Sequence, residues 1–193
     1  LSFDASVYAF KLRHGIVEQQ DSTGAEFFVN SGSIKENGAE VWVEAKIIRN
    51  KNSLIKDLSI SNSFTYQPYK FNSYLSGTKN YAGNRETGVP KYIDVITLDM
   101  NASTGIYFNA NANFTSSIPL TDANDIYADA YKLLQLKLGY KNHFNNTMLD
   151  FYFGIDNLLN EKYSLGNDLN AIGGRYFNAA PRRNYFAGVR INF

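Results

Sequence analysis

No cysteine occurs in the 193 residues, which removes disulfide frameworks, Cys-ligated zinc, iron–sulfur clusters and thiol catalysis together. Histidine is nearly as scarce, at two residues, so a multi-histidine metal site is nearly excluded. An excess of charge is missing too. Lys and Arg number 19 against 18 Asp and Glu, a net charge of +1, whereas a nucleic-acid binder normally carries a basic excess on one face. No stretch approaches the roughly 18 consecutive apolar residues of a membrane-spanning helix. The chain opens at Leu1 without Met, a basic start or an apolar signal segment, so Leu1 is expected to be a cut point.

What the sequence has in abundance is aromatic side chains, 15% of residues with 14 Tyr and 14 Phe. It has little helical periodicity, whereas period-two alternation is nearly everywhere. From Ile106 to Phe114 the residues Ile106, Phe108, Ala110, Ala112 and Phe114 share one face, opposite Tyr107, Asn109, Asn111 and Asn113. The same pattern sets Leu134, Leu136, Leu138 and Tyr140 against Gln135, Lys137, Gly139 and Lys141. It sets Leu149, Phe151, Phe153 and Ile155 against Asp150, Tyr152, Gly154 and Asp156. Val41, Val43, Ala45 and Ile47 oppose Glu40, Trp42, Glu44 and Lys46, and Ile96, Leu98 and Met100 oppose Thr97, Asp99 and Asn101. Leu58 to Tyr66 fits less well because Asn62 falls on its apolar side, and the segment from Phe3 to Ile16 has aromatics on both faces.

The alternation predicts about eight strands, over 2–19, 26–48, 56–70, 91–103, 105–117, 131–143, 147–157 and 184–193. Short connections (around Asn50–Lys56, Ser103–Gly105 and His143–Asn146) alternate with longer ones (Gln20–Ala25, Phe71–Pro90, Ile118–Ala130 and Leu158–Arg183). Tight turns at one rim and long loops at the other make the layout of an antiparallel outer-membrane barrel. A soluble sandwich is the competing architecture, with the same apolar stripes turned into a core. Strand length favours the barrel: a spanning strand needs roughly 9–11 residues, against about 5–6 in soluble proteins. Aromatics near the ends of the apolar runs, such as Tyr66, Tyr92, Tyr140 and Phe193, fit interfacial girdles.

The segment Phe153-Gly154-Ile155-Asp156-Asn157-Leu158-Leu159-Asn160-Glu161-Lys162-Tyr163 resembles the penultimate strand and following turn of TonB-dependent outer-membrane receptors. So do Gly174-Arg175-Tyr176-Phe177, Pro181-Arg182-Arg183-Asn184-Tyr185 and the terminal Gly188-Val189-Arg190-Ile191-Asn192-Phe193. Upstream, Tyr8 to Ile16 and Val29-Asn30-Ser31-Gly32 leading to Gly38-Ala39-Glu40-Val41 are similar to that family's strand pairs. The resemblance implies an all-β, up-and-down transmembrane barrel of about 22 strands around a plug. Residues 1–193 would supply its last eight strands, with the plug outside them and the C-terminus at the periplasmic rim. It implies uptake of a ferric siderophore or similar scarce nutrient, driven by the TonB complex acting on the plug. The implied partners are the rest of the barrel and its plug, the lipid bilayer and the outer-membrane assembly machinery. No cofactor is implied.

The last strand resembles the signal read by that machinery, with Tyr185, Val189, Ile191 and Phe193 on one face. Tyr81, Arg85 and Arg175 are the candidates for ligand contact from the loops. Arg175, Arg182 and Arg183 form a basic cluster at the rim, suited to an anionic chelate, to lipid phosphates or simply to solvent. His14 and His143 have no ligand-spaced neighbours and read as turn or interface residues. No nucleophile elbow, phosphate loop or His-Glu-x-x-His helix is present, so an enzyme is not expected. Two other classes remain open: a freestanding eight-stranded barrel with a structural or adhesive role, and a soluble β-sandwich binding module.

Overall fold

The computed structural model describes residues 1–145 and 147–193. Eight long strands form one antiparallel sheet: β1 (Ser2–Arg13), β2 (Ser33–Arg49), β3 (Ile55–Tyr66), β4 (Tyr92–Ala102), β5 (Ile106–Thr115), β6 (Tyr131–Phe144), β7 (Thr147–Asp156) and β8 (Asn184–Asn192). Their spatial order is their chain order, the plan of an up-and-down wall. Contacts between strands follow that order, and among the described residues no second sheet stacks on either face.

Register settles which face each side chain takes. Phe108 pairs with Leu138, Leu138 with Phe153, and Phe153 with Ala187, so one apolar band crosses four strands. Nothing covers it. Val189 is 59% exposed and Phe151 48%, and Ile106 is exposed beside them. A sandwich would bury these positions, so that architecture is excluded. A shallow trough of about 790 Å³ runs along this bare apolar face, lined by Ile106, Leu138, Phe151 and Val189. Pairing with β2 also orients β1. Phe3, Ala5 and Val7 oppose Val43, Val41 and Ala39 and therefore lie on the apolar face, leaving Tyr8 and Phe10 on the polar one.

Two departures from simple alternation stand out. The expected strands 2–19 and 26–48 each break, because His14 takes a left-handed φ of 58° and Gly32 one of 77°. Beyond that break, Ile16–Gln20 pairs with Glu26–Asn30 as a separate hairpin. A bulge between Lys46 and Ile48 pushes Ile47 out of register, so Ile48 opposite Leu58 takes the apolar position instead. Asn62, the polar intruder on the apolar face of β3, donates to Asp94 on β4, another polar group on that face.

The tight turns fall at Asn50–Leu54, at Ser103–Gly105 and after Phe144; Asn146 of the last lies outside the described residues. The four long connections (14–32, 67–91, 116–130 and 157–183) meet at the opposite rim. The buried hydrophobic side chains among the described residues belong to them or to the adjoining end of β2: Ile34, Phe71, Tyr74, Leu120, Ala128 and Ala171. The core of this chain is therefore a cap of loops on the rim of a bare wall.

Candidate functional site

The cap is organised around one carboxylate. Asp122, only 2% exposed, accepts hydrogen bonds from Gln19 Nε2 (2.6 Å), Tyr74 Oη (2.9 Å) and Thr87 Oγ1 (2.5 Å). Its carbonyl accepts from Asn84 Nδ2 at 2.7 Å, and its amide donates to Asn170 Oδ1 at 2.9 Å. Asn170 in turn donates through Nδ2 to the Glu18 carbonyl at 2.9 Å. All four connections thus converge on one residue. Burial, and then the neighbouring Asp122 carboxylate, push the Tyr74 hydroxyl well above its ordinary range, which keeps it a donor.

Beneath this hub, Phe71 and Tyr74 pack edge to face at 4.9 Å, and Tyr81 lies 5.2 Å from Tyr74. Glu86 is half-buried in the second connection. Burial, with Glu36 adding repulsion, raises its carboxyl to about 7. At the tip of the first connection, hydrogen bonds from Thr23 and Ala25 hold the exposed Asp21 carboxyl below its usual range.

The three loop candidates occupy different settings. Tyr81 is part of the cap core. Arg85 ties the second connection to the third: its guanidinium donates to the carbonyls of Val89 and Ser117, both at 3.2 Å, and lies 5.8 Å from the Tyr127 ring centre. Asn124, held in a left-handed φ of 57°, clasps the Arg85 backbone from both sides, accepting from its amide at 2.7 Å and donating to its carbonyl at 3.0 Å. Arg175 is exposed and reaches the first connection beside Gly24. The structure does not bring these three residues together around one point.

Two of the rim arginines are engaged. Arg182 Nε donates to Asn160 Oδ1 at 3.0 Å, and Arg183 Nε donates to the Leu158 carbonyl at 2.8 Å. This gives the segment around Asn157 a physical role. Asn157 and Asn160 both take left-handed φ, 49° and 58°. The buried Asn157 side chain accepts from the Glu161 amide and donates to the Glu161 and Pro181 carbonyls. The motif folds the exit of β7 onto the entrance of β8.

The polar face of the wall is the second candidate surface. Tyr107, Gly139, Tyr152 and Gly188 are consecutive register partners across β5 to β8. Each tyrosine ring occupies the space that a Cβ on the neighbouring glycine would need. Lys137 sits 4.3 Å from the Tyr152 ring centre and Lys141 5.4 Å from that of Tyr107, within cation–π range. Asp150, 3% exposed, accepts from Tyr107 Oη at 2.8 Å. Higher on the same face, a cleft of about 430 Å³ opens between wall and fourth connection, lined by Asn111, Asn113, Gln135, Tyr131 and Tyr163. Amides and phenols can bind a polar ligand there without supplying a nucleophile. Among the described residues no group of three or more His, Asp or Glu side chains is placed to hold a metal ion.

No family model matches the chain. Solved structures do. The siderophore receptor PiuA of Acinetobacter baumannii is similar over 98% of this chain and 26% of its own, at 20% identity and a TM-score of 0.71. BauA, the ferric preacinetobactin receptor of the same organism, is similar over 97% of this chain and 27% of its own, at 19% identity and a TM-score of 0.70. The chain has the barrel fold of TonB-dependent siderophore receptors. The ferric-catecholate import receptor Fiu of E. coli K12 repeats the likeness at 17% identity and a TM-score of 0.67, over 98% of this chain and 24% of that one. The chain spans about a quarter of the length of these receptors. Of the sequence expectations, the receptor-type fold, the antiparallel topology and the apolar outward stripe agree with this likeness. The Asp122 hub was not anticipated. Its local signal, Thr121-Asp122-Ala123-Asn124, reads only as a turn.

Proposed function

We propose that residues 1–193 form the C-terminal part of the barrel wall and outer loops of an active-transport receptor in a bacterial outer membrane. The receptor takes up a ferric siderophore or similar scarce nutrient. The observation that carries this reading is the single-layer sheet, bare and apolar on one face and amide-, tyrosine- and charge-rich on the other. That division suits a wall between lipid and a wet lumen. The likeness to siderophore receptors over nearly the whole chain supports the transport role.

In this reading the four long connections face the medium and help receive the ligand. The polar cleft at Asn111 and Tyr163 opens below them, and the face carrying Lys137, Lys141 and Asp150 holds the plug. Coupling to the TonB complex acts through that plug. Tyr185, Val189 and Ile191, which β8 presents on the apolar face, serve with Phe193 just beyond the strand as the assembly signal. A freestanding eight-stranded barrel is less well supported, because closure requires β1 to pair with β8 and here they lie at opposite ends of the sheet.

The test uses the full-length protein in its host under iron starvation. Deleting the gene should abolish uptake of at least one labelled complex from a panel of ferric catecholate, hydroxamate and citrate, and deleting the energy-transducing protein should abolish the same uptake. Unchanged uptake of all three in both strains would overturn the transport reading.

A further inference from the structure

One feature of the apolar face is unlike the rest of it. Lys11 on β1 is the register partner of Lys35 on β2, and Lys35 is the partner of Lys70 in the short strand Lys70–Ser73 that folds back onto β2. Three ammonium groups therefore stand side by side on adjacent strands. Alternation puts them on the face of Val7, Ala9, Ala39 and Val41, just past the end of the apolar stripe on the long-loop side. Their neighbours Ile34 and Phe71 point the other way and are buried in the cap, while Leu12, on that same opposite face, is exposed.

Like charges directly opposite one another in a sheet are destabilising. All three lysines are exposed, and none forms an ion pair or donates a side-chain hydrogen bond among the described residues. The row's next member shows the contrast. Arg85 bridges to Lys70 along the same line, but its guanidinium is satisfied by two carbonyls and the Tyr127 ring.

We propose that Lys11, Lys35 and Lys70 bind the phosphate groups of an anionic outer-leaflet lipid whose acyl chains lie along the apolar stripe below. Charge complementarity names the head group, since an unneutralised row of cations at a membrane boundary attracts anionic lipid. Continuity with the bare stripe through Ala9 and Val7 identifies a lipid rather than a soluble anion. The inference rests on the outer-membrane reading above.

The experiment uses the full-length protein purified folded in detergent, with native mass spectrometry reading bound lipid. The probes are a bisphosphorylated lipid A-type glycolipid and its dephosphorylated form. The unaltered protein should retain the phosphorylated form at least about tenfold more strongly. Lys11→Gln, Lys35→Gln and Lys70→Gln together should erase that preference, whereas the triple Lys→Arg variant should keep it. Equal retention of both lipids by the unaltered protein, or undiminished retention by the triple Gln variant, would overturn the proposal. So would displacement of the lipid by millimolar inorganic phosphate but not by chloride of equal ionic strength, which would mark a soluble-anion site. Heat-modifiable migration in a gel, read on the same samples, separates the two readings. Its presence without lipid preference removes the lysine row alone, and its absence removes the membrane wall as well.

Discussion

The wall and the cap solve opposite problems. In the wall, backbone pairing organises the sheet and the apolar side chains remain uncovered, so its stability depends on what surrounds it. In the cap, side chains do the organising: Asp122 gathers four separate connections, and Phe71, Tyr74 and Leu120 are excluded from solvent. The wall tolerates change in proportion to how lipid receives it. The cap tolerates change only where no buried polar group loses its partner.

The sharpest way to break this comparison is Asp122→Ala. It leaves Tyr74, Thr87 and Gln19 with unmatched donors and should destabilise the cap by about 3–5 kcal/mol. Hydrogen exchange should rise across all four connections while amides in β3 to β6 keep their protection. Equal loosening of the wall would show that the two regions are one cooperative unit. On the wall, Phe151→Arg should cost about 2–4 kcal/mol of folding into bilayers, because it sets a cation on the apolar face. Asn111→Lys, on the polar face, should cost little. Folding yield into vesicles measures both, and equal losses would contradict the assignment of faces.

A pH series probes the cap through Glu86. Its carboxyl is raised to about 7 in the folded chain from an ordinary 4.5, so the folded state holds the proton more tightly. The cap should accordingly lose stability as pH rises from about 4.5 to 7, by on the order of 3 kcal/mol. Glu86→Gln should flatten that dependence in hydrogen exchange of the second connection. A smaller loss is expected from Gly139→Ala. The added methyl displaces the Tyr107 ring and weakens its bond to Asp150, at about 1–2 kcal/mol, seen as a lower midpoint in urea with unchanged migration in gels.

The wall was largely legible from sequence because its pattern is local. Alternation places Phe151 and Phe153 on one face and Asp150 and Tyr152 on the other whatever the partner strand. Two features escaped that reading because they depend on pairing. The breaks at His14 and Gly32, which detach a hairpin from the first two strands, follow from backbone turns that carry no periodic signal. The Tyr107–Gly139–Tyr152–Gly188 ladder becomes visible only once register is known. Of the ligand-contact candidates, Tyr81 packs against the Phe71–Tyr74 core and Arg85 donates to two carbonyls, contacts that no spacing along the chain encodes.

Sequence alone determined that eight long strands exist, the order of short and long connections and the two-faced character of the sheet, since each follows from spacing between near neighbours. The tertiary structure decided where the interior lies and what holds it. Asp122 and Gln19 are 103 residues apart, and Asn170 and Glu18 are 152 apart. No pattern along the chain encodes a contact between segments that meet only after the sheet has brought their strands into line.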